Sequence, residues 1–174
     1  MTNLTGKLLL AGSIVLATST ATADWYAGAS VYNSTINETD FEKYSAGYDL
    51  TVGWSPESNS FMPSEKLSLA AEGSYHNLGT FDVTTTEEAD ASAWSIQGVL
   101  TFAISEIDVY GKLGISYSDF DGETISDTSV DPYVAAGVAY SITEQVDIYG
   151  EYQNFELTDD INIFTYGGGI KAKF

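Results

Sequence analysis

The chain has 174 residues, of which 25 are acidic and six are lysine, and it contains neither arginine nor cysteine. The net charge of −19 and the shortage of cations exclude nucleic-acid binding, which needs clustered Lys or Arg to neutralise phosphates. The absence of Cys excludes disulfides, thiolate metal sites and a Cys nucleophile, and the single histidine, His76, excludes a multi-histidine metal site.

The first 23 residues have the pattern of a secretory signal peptide. Lys7 provides a positive charge, residues 8–17 form an apolar stretch, and Ala21-Thr22-Ala23 provides the small-x-small pattern that signal peptidase requires. The apolar stretch is too short to span a membrane as a helix. We therefore predict a signal peptide at 1–23, cleavage before Asp24 and one exported domain at 24–174; the alternative is an uncleaved N-terminal helix.

From Asp24 onward, apolar residues recur at every second position, which is the periodicity of a β-strand. No segment carries the sustained 3.6-residue stripe of an amphipathic helix. With 44% apolar residues, the chain is able to pack an ordered structure. The alternation predicts eight strands, an even number, over residues 25–32, 44–54, 67–76, 94–104, 107–117, 133–142, 146–153 and 164–174.

The composition of the two strand faces favours lipid on the apolar side. The opposite face is rich in Gly, Ala, Ser and Thr, which suits a narrow, packed barrel interior better than a solvated surface. Large aromatic residues gather near the strand ends on the apolar face, as at the two interfaces of a bilayer. The sequence thus predicts an all-β, eight-stranded antiparallel up-and-down transmembrane barrel. The alternative is a soluble periplasmic barrel with its apolar face inside.

The connections between the predicted strands alternate in length. Short links at 105–106 and 143–145 contrast with longer polar segments near 33–43, 77–93, 118–132 and 154–162, as in outer-membrane barrels with short turns at one end and long loops at the other. The link at 55–66 breaks this pattern, because it should be a short turn and is long. The lipid-facing positions of the predicted strands hold no acidic residue. The long segments hold many of the acids: Glu38, Asp40, Glu42, Asp82, Glu87, Glu88, Asp90, Asp119, Asp121, Glu123, Asp127 and Asp131.

Three segments of the chain resemble OmpA-like outer-membrane barrels. SEIDVYGKLGISYSD (105–119) and DPYVAAGVAYSITEQVDIYGEYQNF (131–155) resemble the middle and later strands of that family, and GGGIKAKF (167–174) resembles its C-terminal signal. The resemblance implies an eight-stranded barrel with both termini in the periplasm and a terminal Phe174 that the barrel assembly machinery reads. The chain ends at Phe174 without the family's peptidoglycan-binding domain, so a cell-wall anchoring role does not carry over.

Four charged side chains on the inward face are the candidate site residues. In the family, acidic and basic side chains form ion pairs inside the barrel, and the resemblance implies structural lumen pairs among Glu72, Lys112, Glu151 and Lys171. Because the chain has no Arg, a bidentate guanidinium pair is absent. The same four residues could instead line an ion pathway, but an eight-stranded interior is filled by side chains, so ion pairing is the preferred interpretation.

Two other constellations carry weaker functional interpretations. His76, Glu72 and Ser74 could form a nucleophilic group, since some small outer-membrane barrels hydrolyse lipid A or phospholipids, but these side chains face inward, so a packed polar lumen is preferred. DFDGET (119–124) is similar to the start of a calcium loop without its full acid spacing or its terminal Glu. We expect no catalytic residue, no cofactor and no dedicated metal site, with only weak divalent-cation association at the acidic loops.

The sequence therefore predicts a small, monomeric integral protein of the Gram-negative outer membrane, not an enzyme. Its expected role is structural or surface-interacting, with the acidic extracellular segments carrying any specificity. Its expected partners are outer-membrane lipid and lipopolysaccharide, the latter through bridging divalent cations, and the barrel assembly machinery through Phe174. The alternatives are a narrow pore or carrier for small or hydrophobic solutes and, less favoured, an outer-membrane lipid hydrolase.

Overall fold

The computed structural model describes residues 25–36, 44–56, 64–82, 88–122, 126–158 and 161–174. The predicted signal peptide lies outside the described residues. Within those ranges no helix has the length and apolarity needed to cross a membrane. The described chain forms eight β-strands: β1 (Trp25–Ile36), β2 (Tyr44–Trp54), β3 (Leu67–Asp82), β4 (Glu88–Ile104), β5 (Ile107–Gly122), β6 (Ser126–Ser141), β7 (Val146–Thr158) and β8 (Ile161–Lys173).

The strands form a closed antiparallel barrel in which every strand pairs with its neighbours in sequence. The barrel closes where β1 pairs with β8, from Tyr26 opposite Lys173 to Ile36 opposite Ile163. The backbone N–H of Phe174 extends this seam, donating to the carbonyl of Trp25 at 3.0 Å. The predicted fold class is confirmed, and closure leaves no strand edge along the barrel wall.

The two faces of the wall differ as the alternation predicts. Apolar side chains of every strand point outward and stay exposed; Ile96 is 72% and Leu113 is 69% exposed. The inward positions between them are buried and mostly polar or small, as with Gln97 and Lys112. With an apolar exterior and a polar interior, the barrel has the reverse polarity of a soluble protein, so its outer surface is suited to contact with lipid.

The four central strands are longer than the others. β3 to β6 have 16 or 17 residues each, whereas β1, β2, β7 and β8 have 11 to 13. About 9–11 residues suffice to cross a bilayer. The ends of β3 to β6 therefore extend beyond the membrane as a four-stranded sheet, which we call the projecting sheet (residues 78–82, 88–92, 118–122 and 126–132).

The projecting sheet corrects the prediction of long loops. The segments near 77–93 and 118–132 are mainly strand, and pairing continues to Asp82 opposite Glu88 and to Asp121 opposite Ser126. Similarly, β1 runs to Ile36, β7 to Thr158, and β8 starts at Ile161. Loss of the apolar alternation marks where the strands leave the bilayer, and the backbone ladder continues past that point. The prediction of long loops is therefore wrong, and the connections left at this end are 37–43, 83–87, 123–125 and 159–160.

The other end of the barrel carries both chain termini of the described domain and three connections. Two of them are short, at 105–106 and 142–145, and the third spans 55–66, of which 57–63 lie outside the described residues. The long link singled out in the sequence therefore belongs to this end. We refer to it as the terminus end and to the end with the projecting sheet as the loop end.

Gly114 gives a test of how tightly the wall packs. It faces the lumen on β5, and a Cβ built on it would overlap the carbonyl oxygen of Ile96 on β4. Gly111, on the same strand, faces lipid, and its Cβ would come no closer than 3.9 Å to any neighbour. Of these two positions on β5, only Gly114 requires glycine, because only there does the backbone of the neighbouring strand approach so closely.

We expect Gly114→Ala to lower the free energy of unfolding by about 1–3 kcal/mol, because the added methyl forces the two strands apart. Gly111→Ala is the matched control and should change it by less than about 0.5 kcal/mol. Urea unfolding of the lipid-reconstituted protein, followed by tryptophan fluorescence, measures both. Equal effects of the two substitutions would contradict this account of the packing.

Candidate functional site in the barrel lumen

An ion-pair cluster crosses the middle of the lumen. Lys112 on β5 places its Nζ 2.8 Å from Glu72 Oε2 on β3 and 2.8 Å from Glu151 Oε2 on β7. All three side chains are at most 8% exposed. Tyr26 donates its hydroxyl to Glu72 Oε1 at 2.8 Å, and Gln97 Nε2 donates to Glu72 Oε2 at 3.2 Å. The structure thus brings together three of the four predicted lumen residues.

A third carboxylate, that of Asp49, joins this cluster through the side-chain amide of Gln153. Gln153 Nε2 donates to Glu151 Oε1 at 2.7 Å and to Asp49 Oδ2 at 3.1 Å, while its Oε1 accepts from the Thr165 hydroxyl at 3.1 Å. Asp49, on β2, is 2% exposed. The polar network therefore ties β2, β7 and β8 together across the lumen.

Lys171, the fourth predicted residue, lies apart from this cluster, near the terminus end. Its Nζ is 3.6 Å from Asp147 Oδ2, and it lies over the rings of Tyr26 and Tyr110 at 5.2 and 5.9 Å from their centroids. Asp147 is better paired with Lys173, whose Nζ is 2.9 Å from Oδ2 and 3.0 Å from Oδ1. Lys171 is thus the more loosely held of the two lysines.

A polar cavity of about 240 Å³ occupies the lumen near the terminus end. Charged side chains of both signs line it, together with hydroxyl groups and tyrosine rings. Glu72 and Lys112 of the central cluster belong to its lining. The cavity is lined by Trp25, Tyr26, Gly28, Thr51, Ser55, Ser68, Ala70, Glu72, Val99, Thr101, Asp108, Tyr110, Lys112, Tyr149, Lys171 and Lys173.

Apolar side chains fill the lumen toward the loop end. This plug consists of residues that are each at most 5% exposed: Tyr32, Leu78, Phe81, Ala91, Ala93, Tyr133, Ala135, Phe155 and Ile163. The rings of Tyr133 and Phe155 pack with centroids 5.1 Å apart.

His76 lies against the plug, away from the other members of the constellation weighed above. Its Nε2 is 2.8 Å from Ser95 Oγ, and its ring contacts Tyr133 and Phe155. Ser74 instead bonds with Thr51 and Gln97. With His76 1% and Ser95 3% exposed, no substrate reaches this pair in the described structure.

Several site residues were missed in the sequence. Asp49, Asp108, Asp147 and Lys173 all occupy inward positions of the alternation, so parity alone could have identified them. Parity does not show which of these inward residues pair with each other. Gln97 and Gln153, which connect the carboxylates, carry no charge to mark them.

The first two acids of the calcium-like segment DFDGET (119–124) belong to a strand and not to a loop. Asp119 and Asp121 belong to β5, and residues 123–124 lie outside the described ranges. In the described part of the chain no group of three or more acidic or histidine side chains could hold a metal ion. Glu38, Asp40, Glu42, Glu87 and Glu123 also lie outside the described residues.

Residues 7–174 match the family described as the outer membrane protein beta-barrel domain. The chain belongs to this family. The beta-barrel domain accordingly resides in the outer membrane, with its apolar wall in contact with lipid. A search of curated proteins found no match.

Solved outer-membrane barrels share the fold of this beta-barrel domain. Ail, the attachment invasion locus protein of Yersinia pestis, solved with the heparin analogue sucrose octasulfate, is 16% identical, with a TM-score of 0.63 over 87% of this chain and 99% of that one. Neisserial surface protein A is 14% identical, with a TM-score of 0.62 over 87% and 97%. The outer membrane enzyme PagL is 13% identical, with a TM-score of 0.54 over 84% and 99%. At these identities the likeness shows the fold alone.

The central cluster predicts unequal roles for two lumen lysines. Lys112→Met would leave Glu72 and Glu151 buried without a cation, and we expect it to lower the free energy of unfolding by about 3–5 kcal/mol. Lys171→Met removes a half-buried lysine with one long ion contact, so its cost should be about 1 kcal/mol or less. Urea unfolding in lipid measures both.

A neutral replacement of the cluster separates charge from packing. The variant that combines Glu72→Gln, Lys112→Met and Glu151→Gln should recover much of the stability lost in Lys112→Met, because neither glutamate position is left as a buried charge without its cation. A triple variant as unstable as the single one would show that Lys112 stabilises the barrel by packing, contrary to this prediction.

Proposed function

We propose that this protein is a monomeric outer-membrane barrel with a surface-interaction role, whose acidic projecting sheet contacts cationic groups outside the cell. In this proposal the signal peptide is removed, the terminus end faces the periplasm and the assembly machinery reads Phe174. Exposed loop-end acids also associate weakly with the divalent cations that bridge lipopolysaccharide. The projecting sheet is the observation that carries the proposal.

The strands of the projecting sheet are longer than is needed to cross the bilayer. Pairing of β2 with β3 ends at Tyr48 opposite Asn77, whereas β3 and β4 stay paired to Asp82 opposite Glu88. These additional residues do not help to cross the membrane, since about 9–11 residues per strand do that. They support a rigid surface held away from the lipid, which is suited to contact with another molecule.

The outward face of this sheet concentrates negative charge. Asp90 on β4 lies directly opposite Asp121 on β5, and Asp119 is two residues from Asp121 on the same face. Directly opposed like charges destabilise a sheet, so the arrangement costs stability. Thr80 donates to Asp90 Oδ1 at 2.6 Å and offsets part of this repulsion. A cationic partner would be attracted by all three acids.

The charge of the projecting sheet argues against a sulfated ligand such as the one bound in the Ail structure. None of the six lysines belongs to the projecting sheet. Lys112, Lys171 and Lys173 lie in the lumen, Lys66 precedes β3 at the terminus end, and Lys7 and Lys43 are outside the described residues. An acidic surface without cations repels sulfate groups. We therefore assign this chain a partner of opposite charge to that of the heparin analogue.

The alternatives find less support. The apolar plug opposes a steady pore, because Tyr133 and Phe155 seal the lumen above His76. PagL is an enzyme of similar fold, but His76 and Ser95 are buried here, so a hydrolase would have to use other residues. A surface-interacting, non-enzymatic barrel is the function that the described geometry supports best.

A charge-matched pair of variants tests the role of the projecting sheet. One variant combines Asp90→Asn, Asp119→Asn and Asp121→Asn; the control combines Glu65→Gln, Glu106→Gln and Glu144→Gln, three exposed acids at the terminus end. Intact cells with truncated lipopolysaccharide that carry each protein are incubated with a fluorescent oligolysine peptide. We expect binding to fall several-fold with the first variant and to stay unchanged with the control.

The same experiment reports on orientation. A loss with the control variant alone would mean that the terminus end faces outward, and equal binding by all three proteins would mean that the projecting sheet does not attract cationic groups. Either result contradicts the proposed function. Heat-modifiable gel migration of the membrane fraction verifies that each variant is folded.

A further inference from the structure

Two oppositely charged side chains in the lumen cavity lack good partners. Of the five charged residues that line the cavity, Glu72 and Lys112 pair with each other at 2.8 Å, and Lys173 pairs with Asp147 at 2.9 Å. The remaining two are Asp108 at the start of β5 and Lys171 near the end of β8. They form no ion pair with each other in the described part of the chain.

The Lys171 ammonium has donors to spare. Its one ion contact is the 3.6 Å approach to Asp147, beyond ordinary hydrogen-bond length, and Asp147 already accepts from Lys173 and from the Ser141 hydroxyl at 2.8 Å. The rings of Tyr26 and Tyr110 support the ammonium by cation–π contact. Lys171 is therefore held in place by aromatic faces while its N–H groups stay available to the cavity.

Asp108 provides the complementary acceptor. Its position on β5 is inward, two residues before Tyr110, and it lines the same cavity. Among the described residues it has neither a hydrogen-bond partner nor an ion-pair partner. The cavity thus offers an unpaired carboxylate at Asp108 and a loosely held ammonium at Lys171, and Thr101 and Ser68 also line it.

The size of the cavity limits what can occupy it. At about 240 Å³, the cavity is below the ~300–1,000 Å³ of sites for drug-sized ligands. A ligand that satisfies both charges must therefore be small and carry one ammonium and one carboxylate. We propose that the lumen cavity binds a small zwitterion of the size of a free amino acid, its carboxylate at Lys171 and its ammonium at Asp108.

Three probes of equal size separate the two charges of such a ligand. L-serine carries both charges, serinamide only the ammonium, and L-glycerate, in which a hydroxyl replaces the ammonium, only the carboxylate. Each is titrated into the isotope-labelled barrel in lipid nanodiscs, and the amide resonances of the cavity-lining residues Gly28, Thr101 and Tyr110 are followed by NMR. We expect saturable shifts with L-serine and at least about tenfold weaker binding of either half-charged probe, since a charge-assisted hydrogen bond contributes about that factor.

Single-charge variants identify the two contacts. Asp108→Asn should weaken L-serine binding at least about tenfold and abolish the preference for L-serine over L-glycerate. Lys171→Gln should likewise weaken L-serine binding and abolish the preference for L-serine over serinamide. Lys66→Gln, which removes an exposed lysine at the terminus end outside the cavity, is the matched control and should leave binding unchanged.

The outcomes separate this site from the projecting sheet. Saturable binding of L-glycerate as tight as that of L-serine would make the cavity an anion site, and the absence of saturable shifts with all three probes would leave it a water-filled space; either overturns the proposal. Because nanodiscs expose both barrel ends and the projecting-sheet acids are untouched, failure here is independent of the proposed surface role.

Discussion

The pairing of β1 with β8 is the contact on which the rest of the molecule depends. In hydrocarbon every unpaired backbone N–H and C=O costs several kcal/mol, so an open sheet is not an option for a β-protein that crosses a bilayer. The seam runs from Tyr26 opposite Lys173 to Ile36 opposite Ile163, without interruption of the register. Once the sheet closes with eight strands, the width of the interior is fixed at a value that side chains just fill.

The fixed width dictates what the lumen contains. Glycines such as Gly114 let neighbouring backbones approach, and long polar side chains must then span the remaining distance. Lys112 does this by reaching Glu72 on one side and Glu151 on the other. The two buried glutamates are tolerated because they share one lysine and accept further hydrogen bonds from Tyr26, Gln97 and Gln153, and removal of the lysine leaves both carboxylates with an uncompensated desolvation cost.

The alternation of the sequence predicts the strands and their two faces because the pleat has a period of two, whatever the partner. Parity also places Glu72, Lys112 and Glu151 on the inward side. It does not predict which inward residues meet, because these three belong to β3, β5 and β7, and contact between non-adjacent strands depends on the stagger around the barrel. Lys171 and Asp147, by contrast, are register partners on the adjacent strands β8 and β7, so their proximity follows from local strand pairing and not from this stagger.

The extent of the strands was beyond prediction for a different reason. Hydrophobic alternation reports the solvent that faces a strand, and the solvent changes from lipid to water where β3 to β6 leave the membrane. Backbone pairing does not change there, as the continuous register from Trp94 opposite Tyr117 to Asp90 opposite Asp121 shows. A segment such as 118–122 thus has the composition of a loop and the hydrogen bonding of a strand.

The distribution of polarity along the lumen also bears on how the interior is used. Apolar packing around Tyr133 and Phe155 closes the loop end, while the cavity with Lys171 and Asp108 lies near the terminus end. In the described part of the chain, a solute that enters from the terminus end meets the Glu72–Lys112 pair and then the plug. This order of polar cavity and apolar plug supports the proposed binding of a small zwitterion, and in the proposed function the projecting sheet makes the contacts with other surfaces.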